Sequence, residues 1–275
     1  MNPNRLISYF HECKSYTGVD DFEYNVIDRT TNENYNNLDE YIQKKNLHHK
    51  KFYYKEGGGI YGLKNITNIL KYIDKNSSTS EYAFDMGNNT LCGTSSTTIE
   101  TIFLNCNKLN IEAIHNIFIK MLDTTDSYEF FNILFDYIEL NYKIEDFNTS
   151  NMFFYVLGYN IITQKSMVNI YTNFKTVSDM CNCVRGAINI PYITKKNPIY
   201  IYNNMICLDC GILSMIYSKK HTLGLDINFT DVELFKEIYD YPMNMIQKLD
   251  LINLKGYVHY HINRYFYEIE YIGYE

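Results

Sequence analysis

The chain has 275 residues with a net charge of −7, 28 Tyr, 16 Phe, no Trp and only 4 Pro. That length can bury a substantial core, and with no low-complexity or Pro-rich linker to divide it, one domain over residues 1–275 is expected. An acidic chain with arginine only at Arg5, Arg29, Arg185 and Arg264 lacks the basic surface that counterion release exploits, which excludes general nucleic-acid binding.

No stretch reaches the length of a membrane-spanning helix, and residues 1–14 hold no continuous apolar run of signal-peptide length. Seven cysteines without such a signal are expected to be reduced thiols in the cytoplasm. Abundant Asn, Ile, Lys, Tyr and Phe match AT-rich codons, so tyrosine number carries no functional weight, and only tyrosine position does.

Residues 28–51 are polar and Asn-rich, with a short helix expected over 38–45. Gly57, Gly58 and Gly59 follow; without a Gly-Lys-Ser/Thr after them they read as a turn and not as a phosphate cradle. Ile66, Ile69, Leu70 and Ile73 have helical spacing. A strand pair is expected over 81–86 and 98–105, joined by a Gly/Asn/Ser/Thr loop. Ile111, Ile114, Ile117, Phe118 and Met121 make the apolar stripe of the next helix, and Asp126 with Glu129 has capping-box spacing for another.

Further strand pairs are expected over 153–161 with 167–175, 199–207 with 212–218, and 257–262 with 265–272. A capping box at Thr230 and Glu233 marks a helix between the last two pairs. Hairpins separated by helices, without strand-helix-strand alternation, predict an α+β fold. Its sheet would be an antiparallel β-barrel, or a strongly curved sheet, of repeated hairpins ringed by outer helices. In 167–175 one face reads Asn169, Tyr171, Asn173, Lys175 and the other Val168, Ile170, Thr172, Phe174. The polar face meets either bulk water or a wet, tyrosine-lined lumen.

Four stretches carry a resemblance: RLISYFHECKSYTGVDDFEYNV (5–26), GGIYGLKNITNILKYI followed by SEYAFDMG (58–87), TIETIFLNCNKLNIEAIHNIFIKM (98–121) and FFYVLGYNIITQKSMVNIYTNFK (153–175). Together they resemble the ABBA-type prenyltransferases, most of all the cyanobactin-type peptide prenyltransferases. The resemblance implies a helix-ringed barrel that transfers a dimethylallyl or geranyl group from its diphosphate, with Mg²⁺, to a side chain of a peptide or aromatic acceptor. Two departures stand out. Residues 98–105 contain none of the basic residues that the family uses to hold the diphosphate, and 28–57 is short where the family has an early strand and an acidic base.

Prenyl transfer sets the candidates. A diphosphate leaving group needs cations, for which Lys175, Lys219 and Arg264 are nominated, with Arg29 as an outlier. An allylic cation needs an aromatic wall. Tyr155, Tyr171 and Tyr217, with Tyr159, Tyr202 and Tyr267, lie on expected strands, and Asn169 and Asn173 supply polar contacts. Glu23 is the nominated base. His259 and His261, two apart on a strand, suit acid–base work or a metal, or are a solvated pair. Cys181, Cys183, Cys207 and Cys210 form either a structural zinc site or four core thiols. No Gly-x-Ser-x-Gly elbow, His-Glu-x-x-His helix, Walker loop or dinucleotide fingerprint occurs. The alternatives to the prenyltransferase are a non-catalytic barrel protein that binds a peptide or protein partner, its donor site lost, and a zinc-braced interaction protein.

Overall fold

A computed structural model of the chain describes residues 11–12, 24–55, 69–70, 89–123, 130–160, 162–163, 165–190 and 199–210. The strands are β1 His11–Glu12, β2 Tyr24–Asp28, β3 Glu33–Tyr35, β4 Lys51–Lys55, β5 Asn89–Thr94, β6 Met152–Asn160, β7 Lys165–Thr172, β8 Ile201–Tyr202 and β9 Met205–Leu208. The helices are α1 Leu38–Lys44, α2 Thr97–Leu104, α3 Ile111–Asp123, α4 Phe130–Asn141 and α5 Val177–Ala187.

Local chemistry fixes these elements. The Asn37 side chain accepts from the Glu40 amide at 2.8 Å and starts α1, with Asp39 and Glu40 in the first turn and Lys44 in the last complementing the helix dipole. Thr176 caps α5 in the same way, through the Asp179 amide at 3.0 Å. Asp28 Oδ1 accepts from the Thr30 and Thr31 amides and turns β2 into β3, with Asn32 left-handed at φ 60°. Asn203 and Asn204, at φ 49° and 62°, make the two-residue turn between β8 and β9. Both central residues of a type I′ hairpin need positive φ, which asparagine tolerates.

The sheet runs β1-β4-β5-β6-β7-β2-β3, and β9 joins β6 with β8 outside it. The fold is α+β, as expected, but the sheet is not purely antiparallel. β4 with β5, β5 with β6, and β7 with β2 are parallel ladders. A parallel pair needs a crossover, and α2, α3 and α4 supply the one from β5 to β6. Among the described residues the strand path is open, with β1 at one end and β3 at the other.

β6 lies at the centre and is covered on both faces, which explains its nearly continuous apolar run from Met152 to Leu157. Met152, Phe154 and Val156 face α2–α5, packing with Ile99, Phe103, Phe118 and Phe135. Phe153, Tyr155 and Leu157 face the other side, with Val26, Phe52 and Ile170. There Tyr41 of α1 makes edge-to-face contacts with Tyr35 at 5.0 Å and Phe153 at 5.6 Å. Each such ring removed from water contributes about 2–3 kcal/mol.

Four element assignments change. Residues 98–105, expected as a strand, lie almost wholly in α2, because full burial under α3–α5 outweighs the β-branched composition of TTIETIF. Residues 89–94, expected as loop, form the buried strand β5. The 199–207 strand is itself the β8–β9 hairpin. Residues 28–51 keep the expected short helix, as α1, and add β3 before it and the start of β4 after it. The elements expected over 81–86, 212–218 and 257–272, and both capping boxes, lie outside the described residues, as does most of 63–73. Among the described residues no helix is long and apolar enough to cross a membrane.

Candidate functional site

The β6–β7 ladder places the expected chamber residues first. Its register pairs Tyr155 with Ile170, Phe154 with Tyr171 and Val156 with Asn169. Tyr155 therefore belongs to the α1 side of the sheet, and Asn169 and Tyr171 to the α2–α5 side. Tyr171 is fully buried, its ring 5.0 Å from that of Tyr202, and burial raises its phenol pKa well above the ordinary value. Asn169 is buried beside Gly158. These two do not face bulk water, and they share no chamber with Tyr155. Asn173 is left-handed, at φ 54°, and ends the alternation, so Phe174 drops into the helix-side core. Asn173 Nδ2 donates at 3.0 Å to both Asp28 Oδ2 and the Tyr41 hydroxyl. Lys175 stands exposed beyond it.

The arginine nearest this surface is already engaged. Arg29 Nε and Nη2 donate to the two Asp179 carboxylate oxygens at 3.0 and 2.9 Å, and Nη1 donates to Asn203 Oδ1 at 3.2 Å. The Tyr202 hydroxyl donates to the same carboxylate at 2.9 Å, and the guanidinium lies 5.3 Å from the Tyr202 ring centre. Bonding to Asp179 holds the Arg29 pKa above its ordinary value. This clasp ties β2 to α5 and to the β8–β9 hairpin.

The four cysteines are all described and do not converge. Cys181 and Cys183 are two apart on α5, about 200° apart around the helix. Cys183 lies towards Cys207 and Tyr202, whereas Cys181 feels Glu139 and Arg185. Burial pushes the Cys207 thiol up to about 12 and raises the other three as well. Among the described residues no group of three or more His, Cys, Asp or Glu side chains could hold a metal ion. Glu23, Tyr217, Lys219, His259, His261 and Arg264 lie outside the described residues.

The best-built polar pair is one that sequence reasoning missed. β5 ends at Thr94, Ser95 turns left-handed at φ 54°, and α2 begins two residues later. Ser95 Oγ donates to Asp209 Oδ2 at 2.6 Å, with the residues only 5% and 2% exposed. The Asp209 amide donates to the Asn189 carbonyl at 2.9 Å, and Asn189 Nδ2 donates to the Cys207 carbonyl at 2.8 Å, fixing the backbone that carries the carboxylate. Gly93 lets α2 approach: a Cβ there would sit 2.9 Å from both Thr101 Oγ1 and the Thr97 carbonyl oxygen. The available signal was Gly93-Thr94-Ser95-Ser96-Thr97, hidden by its loop-like composition.

The chain matches no family model, and no curated protein matches it at a significant level.

Proposed function

We propose that this chain binds an extended, apolar segment of a peptide or protein partner along the edge of β8 that no described strand pairs, with no isoprenyl diphosphate site in its described part. The carrying observation is that edge. Among the described residues β8 pairs only with β9. Ile201 on β8 is 61% exposed, and Ile199 just before it 44%. An edge that no described strand pairs, carrying exposed apolar side chains, offers main-chain hydrogen bonds and alternate side-chain contacts to an added strand. The test is fluorescence anisotropy with labelled hexapeptides alternating Val and Thr, against the wild type and Ile201→Lys. Saturable binding weakened at least about tenfold by the variant is expected, and no binding by the folded wild type sinks the reading.

A second reading is isoprenyl transfer to a peptide or aromatic acceptor inside a closed barrel, carried by the resemblance and by the hairpin found where 153–175 leads one to expect it. Its cations Lys219 and Arg264, base Glu23, His259 and His261, and wall residue Tyr217 belong to the undescribed part. Among the described residues Asp28 and Asp179 are held by Lys45 and Arg29, and no group of three or more His, Cys, Asp or Glu side chains is placed to hold its Mg²⁺. Calorimetry with dimethylallyl and geranyl diphosphate, with and without Mg²⁺, separates the readings. Saturable diphosphate binding moves the assignment to the transferase.

A further inference from the structure

We propose that Ser95 is a nucleophile for acyl transfer from an activated ester or thioester, with Asp209 as the group that takes its proton. The inference stands apart from the partner-binding reading, because its test needs no peptide.

The backbone supplies the first argument. Six non-glycine residues among those described have positive φ; five are asparagines, and Ser95 is the exception. Asparagine tolerates the left-handed region, whereas a residue such as serine costs about 1–2 kcal/mol there. The turn lets the Ser95 carbonyl accept from the Thr98 amide and hydroxyl at 3.1 and 2.6 Å while its own hydroxyl stays bonded to Asp209. A strand-to-helix turn of this kind places the hydroxyl at the start of the helix, the position that a nucleophile takes in such a turn.

Position supplies the second. β5 has parallel neighbours on both sides, β4 and β6, and Ser95 follows its carboxyl end. In open sheets with parallel strands, ligands bind outside the carboxyl ends of the strands. Gly93, two residues before the serine, admits the following helix at a distance that any side chain would block. A third observation is the hydroxyl beside it. Thr94 is 2% exposed, and its Oγ1 has no hydrogen-bond partner among the described residues, the Cys210 thiol interacting with it outside strict hydrogen-bond geometry.

The chemistry balances without a further reagent. Ser95 Oγ attacks the acyl carbonyl carbon while its proton passes to Asp209 Oδ2. The tetrahedral oxyanion collapses, the bond to the leaving alcohol or thiol breaks, and Asp209 returns the proton to that group. Water then attacks the acyl-serine, giving its proton to Asp209, and Ser95 leaves with it. The sum is ester plus water to acid plus alcohol.

The experiment treats the full chain with a fluorophosphonate, which phosphonylates activated serine hydroxyls, and maps the adduct by peptide mass spectrometry. The expected result is one adduct on Ser95, absent from urea-denatured protein, with Ser150 and Ser178 unmodified as internal controls. Asp209→Asn, shown folded by circular dichroism, should slow labelling about 100-fold, the range of a lost general base. No adduct on Ser95 in the native wild type overturns the proposal, as does equal labelling after denaturation. Labelling of a folded Asp209→Asn at the wild-type rate overturns the role of Asp209.

Discussion

Tyr155 and Tyr171 sit on adjacent antiparallel strands one register step apart, Tyr155 opposite Ile170 and Tyr171 opposite Phe154, and project through opposite faces of the sheet. Sequence alternation alone places each tyrosine on a strand, but only the register says that they cannot meet. Tyr171 packs under α5 and β8 against Tyr202, in the helix-side core. Tyr171→Ala should therefore behave as a core truncation and cost about 3–5 kcal/mol in urea unfolding. A cost below about 1 kcal/mol would mean that the ring borders solvent and that a chamber exists on that face.

The Arg29–Asp179 clasp makes a second prediction. Both side chains are mostly buried, and the pair is bidentate. Asp179→Asn keeps the shape but leaves the guanidinium unneutralised, and Tyr202 loses its charged acceptor. A loss of about 2 kcal/mol is expected, less than for a fully buried pair because some solvent reaches both groups. In a double-mutant cycle with Arg29→Met, the coupling should exceed about 1 kcal/mol; coupling near zero would show the pair to be a crystal-like surface contact in energetic terms.

Which parts were legible in the sequence follows from which forces are local. α1 and α3 carried their own caps or apolar stripe, β6 its apolar run and β7 its alternation, so these were readable within about three residues. β5 was not, because Asn89, Thr90, Gly93 and Thr94 look like a turn until two neighbours supply hydrogen bonds on both sides. The helix α2 was misread for the complementary reason, since TTIETIF favours a strand by propensity and becomes helical through burial. Ser95 and Asp209 are 114 residues apart, and their meeting depends on β9 adding to the edge of β6 beyond β5. No local pattern encodes that distance. Asn169 and Tyr171 lie on β7 as expected and are buried on the helix side, whereas Asn173, expected on the same strand, lies beyond its end.

Asp28 gives a pH dependence with a definite sign. Burial alone would push its pKa up, but hydrogen bonds from Asn173, the Thr31 and Thr30 amides and Lys45 together hold it below the ordinary carboxylate value. A carboxylate depressed on folding contributes stability that is fully present above its unfolded pKa, about 4, and is lost as pH falls through the lower folded value. Glu33 and Tyr41 also face this group, and Lys45 bridges Asp28 and Glu33 at 3.2 and 3.3 Å. Unfolding free energy should thus decline below about pH 4, with the β2–β3 hairpin and α1 losing amide protection first. In Asp28→Asn that decline should be shallower. An identical slope in wild type and variant would show that Asp28 titrates alike in the folded and unfolded chains.

Gly93 tests the packing beneath the Ser95 turn. A methyl group at this position meets Thr101 Oγ1 at 2.9 Å, the Thr97 carbonyl oxygen at 2.9 Å and its carbon at 3.0 Å. The threonine hydroxyl can rotate away, but the Thr97 carbonyl belongs to the first turn of α2 and moves only if the helix moves. Gly93→Ala should therefore cost about 1–3 kcal/mol, the range for overpacking a tight contact. Adding Thr101→Ala should recover little of it, because the backbone contact remains. If the double variant regains wild-type stability in urea, the obstruction is the hydroxyl alone, and α2 is not held against β5 as closely as these distances require. If it does not, the same displacement of α2 should also slow fluorophosphonate labelling of Ser95, since the turn that presents the hydroxyl would shift with the helix.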